Sequence, residues 1–98
     1  MDNKKIIDFL KNHKKDFRER FNIKTLGVFG SFARNEAQDA SDIDLIVEFD
    51  DNTSNIFEKK QEIRALLGNE FNREIDICNL RYIKPFLKDH ILNQALYV

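Results

Sequence analysis

One cysteine, one proline, three glycines and no tryptophan stand among the 98 residues. The single thiol, Cys78, excludes an internal disulfide. With only the widely separated His13 and His90 to join it, the sequence argues against a zinc site as well. No apolar run approaches the roughly 18–20 residues of a membrane span. The amino end, MDNKKIIDFLKNHKKDF, is charged throughout and lacks the apolar stretch of a signal peptide. Net charge is only −1. That argues against a generally basic nucleic-acid binder and against an acidic disordered tail. The expectation is a small protein of a reducing cytoplasm, one domain over 1–98, with no membrane and no direct nucleic-acid contact.

What is present is enough for one modest core. Apolar residues make up 42 % of the chain and nine residues are Phe. The charges are segregated. Residues 1–24 hold eight Lys/Arg against four acids, and residues 35–58 hold eight acids and no base. Two solvated faces would account for most of this. The alternative is that part of the acidic block, which includes Asp39, Asp42 and Asp44, needs a cation, because clustered carboxylates repel one another.

The periodicities define a chain of alternating elements. Ile6, Leu10, His13, Phe17 and Phe21 step by three or four and predict a helix over 4–21 ended by Asn22. His13 falls on its apolar side and reads as a packed histidine rather than a catalytic one. TLGVF at 25–29 is a strand, FARNEA one or two helical turns, and DASD a loop. Residues 42–49 alternate strictly, with Ile43, Leu45, Val47 and Phe49 on one face and Asp42, Asp44, Ile46 and Glu48 on the other. A helix runs from a capping box at Asn55 and Glu58 to about Leu67, with Ile56, Ile63, Leu66 and Leu67 inward and Gly68-Asn69 as its stop. EIDIC at 74–78 is a third strand. Pro85 opens a last helix with Phe86, Leu87, Ile91, Ala95 and Leu96 for packing. This order predicts an α/β (α+β) fold: about four helices packed on a small, mixed, three-stranded sheet. So thin a sandwich makes a homodimer plausible.

The chemistry concentrates in two places. Asp42 and Asp44 project from one strand face, with Cα atoms roughly 6–7 Å apart. Such a pair can share Mg²⁺, which keeps waters and takes phosphate oxygens. An isolated Asp-x-Asp is far more often two harmless acids on a solvent face, but here Ile46 on the same face weakens that reading. If the third strand lies alongside, Asp76 joins them. Gly30-Ser31 ends the first strand, where a glycine lets the backbone approach a ligand and helix amides face an anion. Alone, Ser31 reads as an ordinary N-cap.

Together, Gly-Ser, ten residues, then Asp-x-Asp, with a further Asp on the next strand, resembles the nucleotidyltransferase superfamily that includes DNA polymerase beta. Within it, GVFGSFARNEAQDASDIDLIVEF is similar to the signature of the minimal nucleotidyltransferase (MNT) branch. The resemblance covers essentially the whole chain and implies the nucleotidyltransferase fold. It implies that Asp42, Asp44 and Asp76 are the catalytic residues and hold two Mg²⁺ ions, with Asp76 helping to deprotonate the attacking hydroxyl. Gly30 and Ser31 would hold the terminal phosphates of ATP. The branch commonly has Arg-Gly-Glu where this chain has Arg34-Asn35-Glu36. Asn is the next best residue for a left-handed turn, so the turn is expected to survive at small cost. Arg34 would touch phosphate or pair with an acid of the 36–51 block. Polymerases of the superfamily carry further domains for the acceptor, so here a partner or a second copy of the chain is expected to supply it. Proteins of the MNT branch act as antitoxins to HEPN-domain toxins by transferring AMP to a tyrosine hydroxyl. The runner-up is a catalytically weak module that neutralises the toxin by contact.

Overall fold

The computed structural model describes residues 3–38 and 41–98. Asp39, counted above in the acidic block, and the first half of the 39–42 loop lie outside the described residues. Helix α1 spans Asn3–Phe21 and buries Ile6, Leu10, Phe17 and Phe21. His13 is half-buried in its apolar stripe, stacked on Phe9 with centroids 4.1 Å apart, and its Nδ1 donates to the Phe9 carbonyl at 2.9 Å. Strand β1 (Ile23–Phe29) leads into the four-residue helix α2 (Gly30–Ala33), then β2 (Ile43–Phe49) and α3 (Ile56–Phe71). Strand β3 (Ile75–Asn79) runs into a 3-10 turn at Leu80–Tyr82, then α4 (Pro85–Gln94) and a two-residue strand β4, Leu96–Tyr97.

The sheet is four-stranded, not three, in the order β3-β2-β1-β4. β1 is antiparallel to β2 and β4, and β2 is parallel to β3. The mixed α/β class therefore holds and the strand count does not. Leu96, expected in the last helix, pairs instead with Val28 of β1, because α4 ends at Gln94 and Ala95 is already extended. One face of the sheet carries Leu26, Val28, Ile43, Leu45, Val47, Phe49, Ile75 and Ile77 into a core closed by α1 and by Ile63 and Leu67 of α3. A bulge between Ile23 and Thr25 keeps Ile23 on that face although it is three residues from Leu26.

Three other local expectations are corrected. α3 passes through Gly68 and Asn69 and ends at Phe71, where left-handed Asn72 stops it. Asn55 is left-handed and caps with no side-chain hydrogen bond, so the capping box does not form. Phe86 and Leu87 are exposed rather than packed, and α4 buries no residue fully. With only three glycines, asparagine takes the left-handed positions: Asn22, Asn35, Asn52, Asn55 and Asn72 all have positive φ. Among the described residues, no helix is long and apolar enough to cross a membrane.

Candidate functional site

The second face of the sheet carries Asp44, Ile46 and Glu48 of β2 and Asp76 and Cys78 of β3. Ile46 is fully buried, so this face is not a plain solvent face. The parallel register sets Asp44 directly opposite Asp76. The antiparallel register sets Asp44 opposite Phe29, the last residue of β1. Asp42 lies just ahead of β2, one alternation back on the same face, and is exposed.

The chain turns at Gly30 with φ +71. A Cβ there would lie 2.3 Å from Asp44 Oδ2 and 3.1 Å from its Cγ. Two independent constraints thus demand glycine: the left-handed backbone and the approach of the Asp44 carboxylate. They also place Gly30-Ser31 against the acids. The N-cap of α2 is Phe29, without a side-chain cap bond, so Ser31 is not the cap but a residue of the first turn. α2 closes with the Glu36 amide donating to the Ser31 carbonyl and the Asn35 amide to the Phe32 carbonyl. With Asn35 left-handed, this is a Schellman ending, and it explains why Asn can stand where the MNT pattern has Gly.

The electrostatics follow from this convergence. Burial pushes the Asp44 carboxyl above its ordinary value, and the charges of Asp76 and Asp42 push it further, while Arg34 pulls it back. The Cys78 thiol is raised by burial and by Asp76, relieved in part by Lys60, and raised again by Asp44. It is a poor nucleophile. Elsewhere the acids find cations. Arg34 Nε donates to Glu36 at 3.1 Å, Arg20 pairs with Glu62, and Arg81 pairs with Asp51. Among the described residues, no such pair reaches Asp42, Asp44 or Asp76. Arg34 pairs with Glu36, both side chains are exposed, and such a pair is weak and easily released.

Whether these residues fit a divalent cation can be judged from the donors. Asp42, Asp44 and Asp76 are hard oxygen donors of one sign whose mutual repulsion Arg34 offsets only in part, which suits Mg²⁺. Among the described residues, no three His, Cys, Asp or Glu side chains are already closed into a metal-holding set. Asp44 and Asp76 are cross-strand neighbours and Asp42 lies two residues ahead of Asp44, without a closed cage among the described residues. An open cleft of about 510 Å³ reaches Asp42 from the side of α3, lined by Arg64, Gly68, Asn72, Arg73 and Glu74 among others. Arg73 carried no motif, and its contacts with the Gln38 and Ser41 carbonyls were not readable from the sequence.

Residues 10–98 match the family described as nucleotidyltransferase domain. The chain is 38 % identical over 97 residues to a provisionally named protein adenylyltransferase of Methanocaldococcus jannaschii, covering 97 % of this chain and 91 % of that one. It is 35 % identical to protein adenylyltransferase MntA of Thermococcus cleftensis, covering 95 % and 92 %. Among solved structures it is similar to a provisionally assigned minimal nucleotidyltransferase, at TM-score 0.80 and 26 % identity over 98 % and 95 % of the two chains. It shares its fold with a complex described as tri-AMPylated Shewanella oneidensis HEPN toxin with MNT antitoxin, at TM-score 0.58 and 22 % identity over 97 % and 66 %.

Proposed function

Because this chain belongs to the nucleotidyltransferase-domain family and is a nucleotidyltransferase enzyme, we propose that it is a protein adenylyltransferase of the MNT branch. It moves AMP from ATP to a tyrosine hydroxyl of a HEPN-type toxin and acts as that toxin's antitoxin. The names of the relatives support protein as the acceptor class, and the toxin–antitoxin complex of shared fold supports the partner. The observation that carries the reading is the placement of Asp44 opposite Asp76 and against the Gly30 turn.

The attacking oxygen forms a bond to the α-phosphorus, the bond to the β-phosphate oxygen breaks, and pyrophosphate leaves. Asp76, exposed at the open side of the pair, accepts the hydroxyl proton. Gly30 presents backbone to the phosphates where any side chain would collide with Asp44. The Ser31 hydroxyl hydrogen-bonds a terminal phosphate oxygen. Arg34, held by an exposed and weak pair with Glu36, turns to the leaving pyrophosphate. Asp42, Asp44 and Asp76 would hold two Mg²⁺ ions, which would supply positive charge to neutralise the attacking and leaving oxygens.

Exposed Tyr82 and Phe86, each 75 % accessible, favour a second reading in which contact alone silences the partner. Incubation of the purified pair with ATP labelled at either the α- or the γ-phosphate separates the two. Transfer predicts label on the partner from the α position only, lost in Asp42→Ala. Neutralisation without label, unchanged in Asp42→Ala, would establish contact instead.

A further inference from the structure

We infer that Arg73 is the positioning residue that locks the two halves of the site together. One half is the Gly30-Ser31 turn with α2. The other is Asp42 and Asp44 at the start of β2, with Asp76 on β3. They are separated in sequence by residues 34–42. Arg73 lies just ahead of β3, half-buried, and its side chain reaches across. Its Nη1 donates to the Gln38 carbonyl at 2.9 Å and to the Ser41 carbonyl at 2.8 Å. Its guanidinium carbon stands 5.0 Å from the centroid of the Phe32 ring. Phe32 is fully buried and is the residue after Ser31, so it is a fixed platform for the phosphate turn. Ser41 is the residue before Asp42. Asp76 follows three residues after Arg73 itself.

One cation thus touches the element behind the phosphate turn and the backbone beside the first acid, from just ahead of the strand that bears the third. The chemistry suits arginine. A planar guanidinium can lie against an aromatic ring while its edge donates to two carbonyls, and it keeps its charge at any working pH. The Ile43 amide donates to the Glu74 carbonyl at 2.9 Å, which continues the same seam into the sheet. Without Arg73, Asp44 stays fixed by β-pairing, but the turn ahead of Asp42 keeps only the local hydrogen bonds between Gln38 and Ser41. Misplacing one ligand of a reacting centre by about 1 Å can cost on the order of a hundredfold in rate.

The role of Arg73 in transfer rests on the function proposed above, so the test carries one readout that needs no transfer. Arg73→Ala and Arg73→Lys are compared with the unaltered chain and with Asp42→Ala. In nucleotide-free protein, exchange of the Ser41 amide, which donates to Gln38, should speed up about tenfold or more in Arg73→Ala, while exchange in the β2 core stays unchanged. With partner and ATP, kcat should fall roughly 10–100-fold and the Mg²⁺ concentration for half-activity should rise, with the KM for the partner steady. Lysine, which can still donate to a carbonyl but cannot lie flat on Phe32, should recover only part of both. Unaltered Ser41 exchange in Arg73→Ala would overturn the inference. So would normal kcat and Mg²⁺ dependence in Arg73→Ala beside an inactive Asp42→Ala, and that result leaves the proposed function standing. If the unaltered chain transfers nothing, the proposed function fails and the exchange rates alone decide the role of Arg73.

Discussion

Replacing Gly30 by alanine introduces two separable costs. The left-handed backbone at φ +71 costs a residue with a Cβ about 1–2 kcal/mol. The new Cβ also falls 2.3 Å from Asp44 Oδ2, and relieving such an overlap costs about 1–3 kcal/mol. The total, about 2–5 kcal/mol, is a large share of the stability of a small domain. The two parts come apart in a double-mutant cycle. Asp44→Ala removes the colliding carboxylate and leaves only the Asp44 Cβ, 3.4 Å from the added methyl, which is an ordinary contact. Gly30→Ala should therefore cost only the backbone part, about 1–2 kcal/mol, in the Asp44→Ala background, a favourable coupling of about 1–3 kcal/mol. Urea unfolding of the four proteins measures it. Gly30→Asn adds a check, since Asn tolerates the backbone but still carries a Cβ. It should lose activity as fully as Gly30→Ala while losing less stability. Equal losses from Gly30→Ala in both backgrounds would refute the close approach of the turn to Asp44.

Asp44→Asn should abolish transfer yet leave the metal-free protein as stable or more stable, because it removes a carboxylate that burial, Asp76 and Asp42 all disfavour. The sign in pH follows. The folded chain holds the Asp44 proton more tightly than the unfolded one, so this contribution is full in acid and is lost as pH rises through the folded value. Thermal unfolding of metal-free protein across mildly acidic pH should show that slope, and Asp44→Asn should flatten it. Asn35→Gly relieves a left-handed asparagine and should stabilise by about 0.5–1 kcal/mol with transfer unchanged, as read by urea midpoint and labelling. Phe32→Ala empties a fully buried position and should cost about 3–5 kcal/mol by the same unfolding assay.

The acidic face was legible because it sits on a strand whose opposite residues, Ile43, Leu45, Val47 and Phe49, alternate without a break. Alternation fixes the face of Asp42 and Asp44 before any neighbour is known. The joining of Asp76 needed the parallel register, which the helical stretch between two strands implies. What stayed hidden has physical causes. Ile23 was passed over because a bulge breaks the period of two. Gly68 looked like a stop, but the helix keeps it, and a Cβ there would only come into contact with the Arg73 carbonyl, 3.4 Å away. The stop is Asn72, one of five asparagines in a role usually given to glycine. β4 is two residues long, too short for any pattern, and exists only because β1 offers it an edge. Arg73 acts through carbonyls and a ring distant in sequence, contacts that no local motif encodes.

Co-expression of this chain with a HEPN-type partner, followed by intact-mass measurement of the partner, tests the central claim most directly. The account predicts added mass in whole AMP units with the unaltered chain and none with Asp42→Ala, Asp44→Ala or Asp76→Ala. An unmodified but silenced partner, or the same added mass with all three variants, would contradict it.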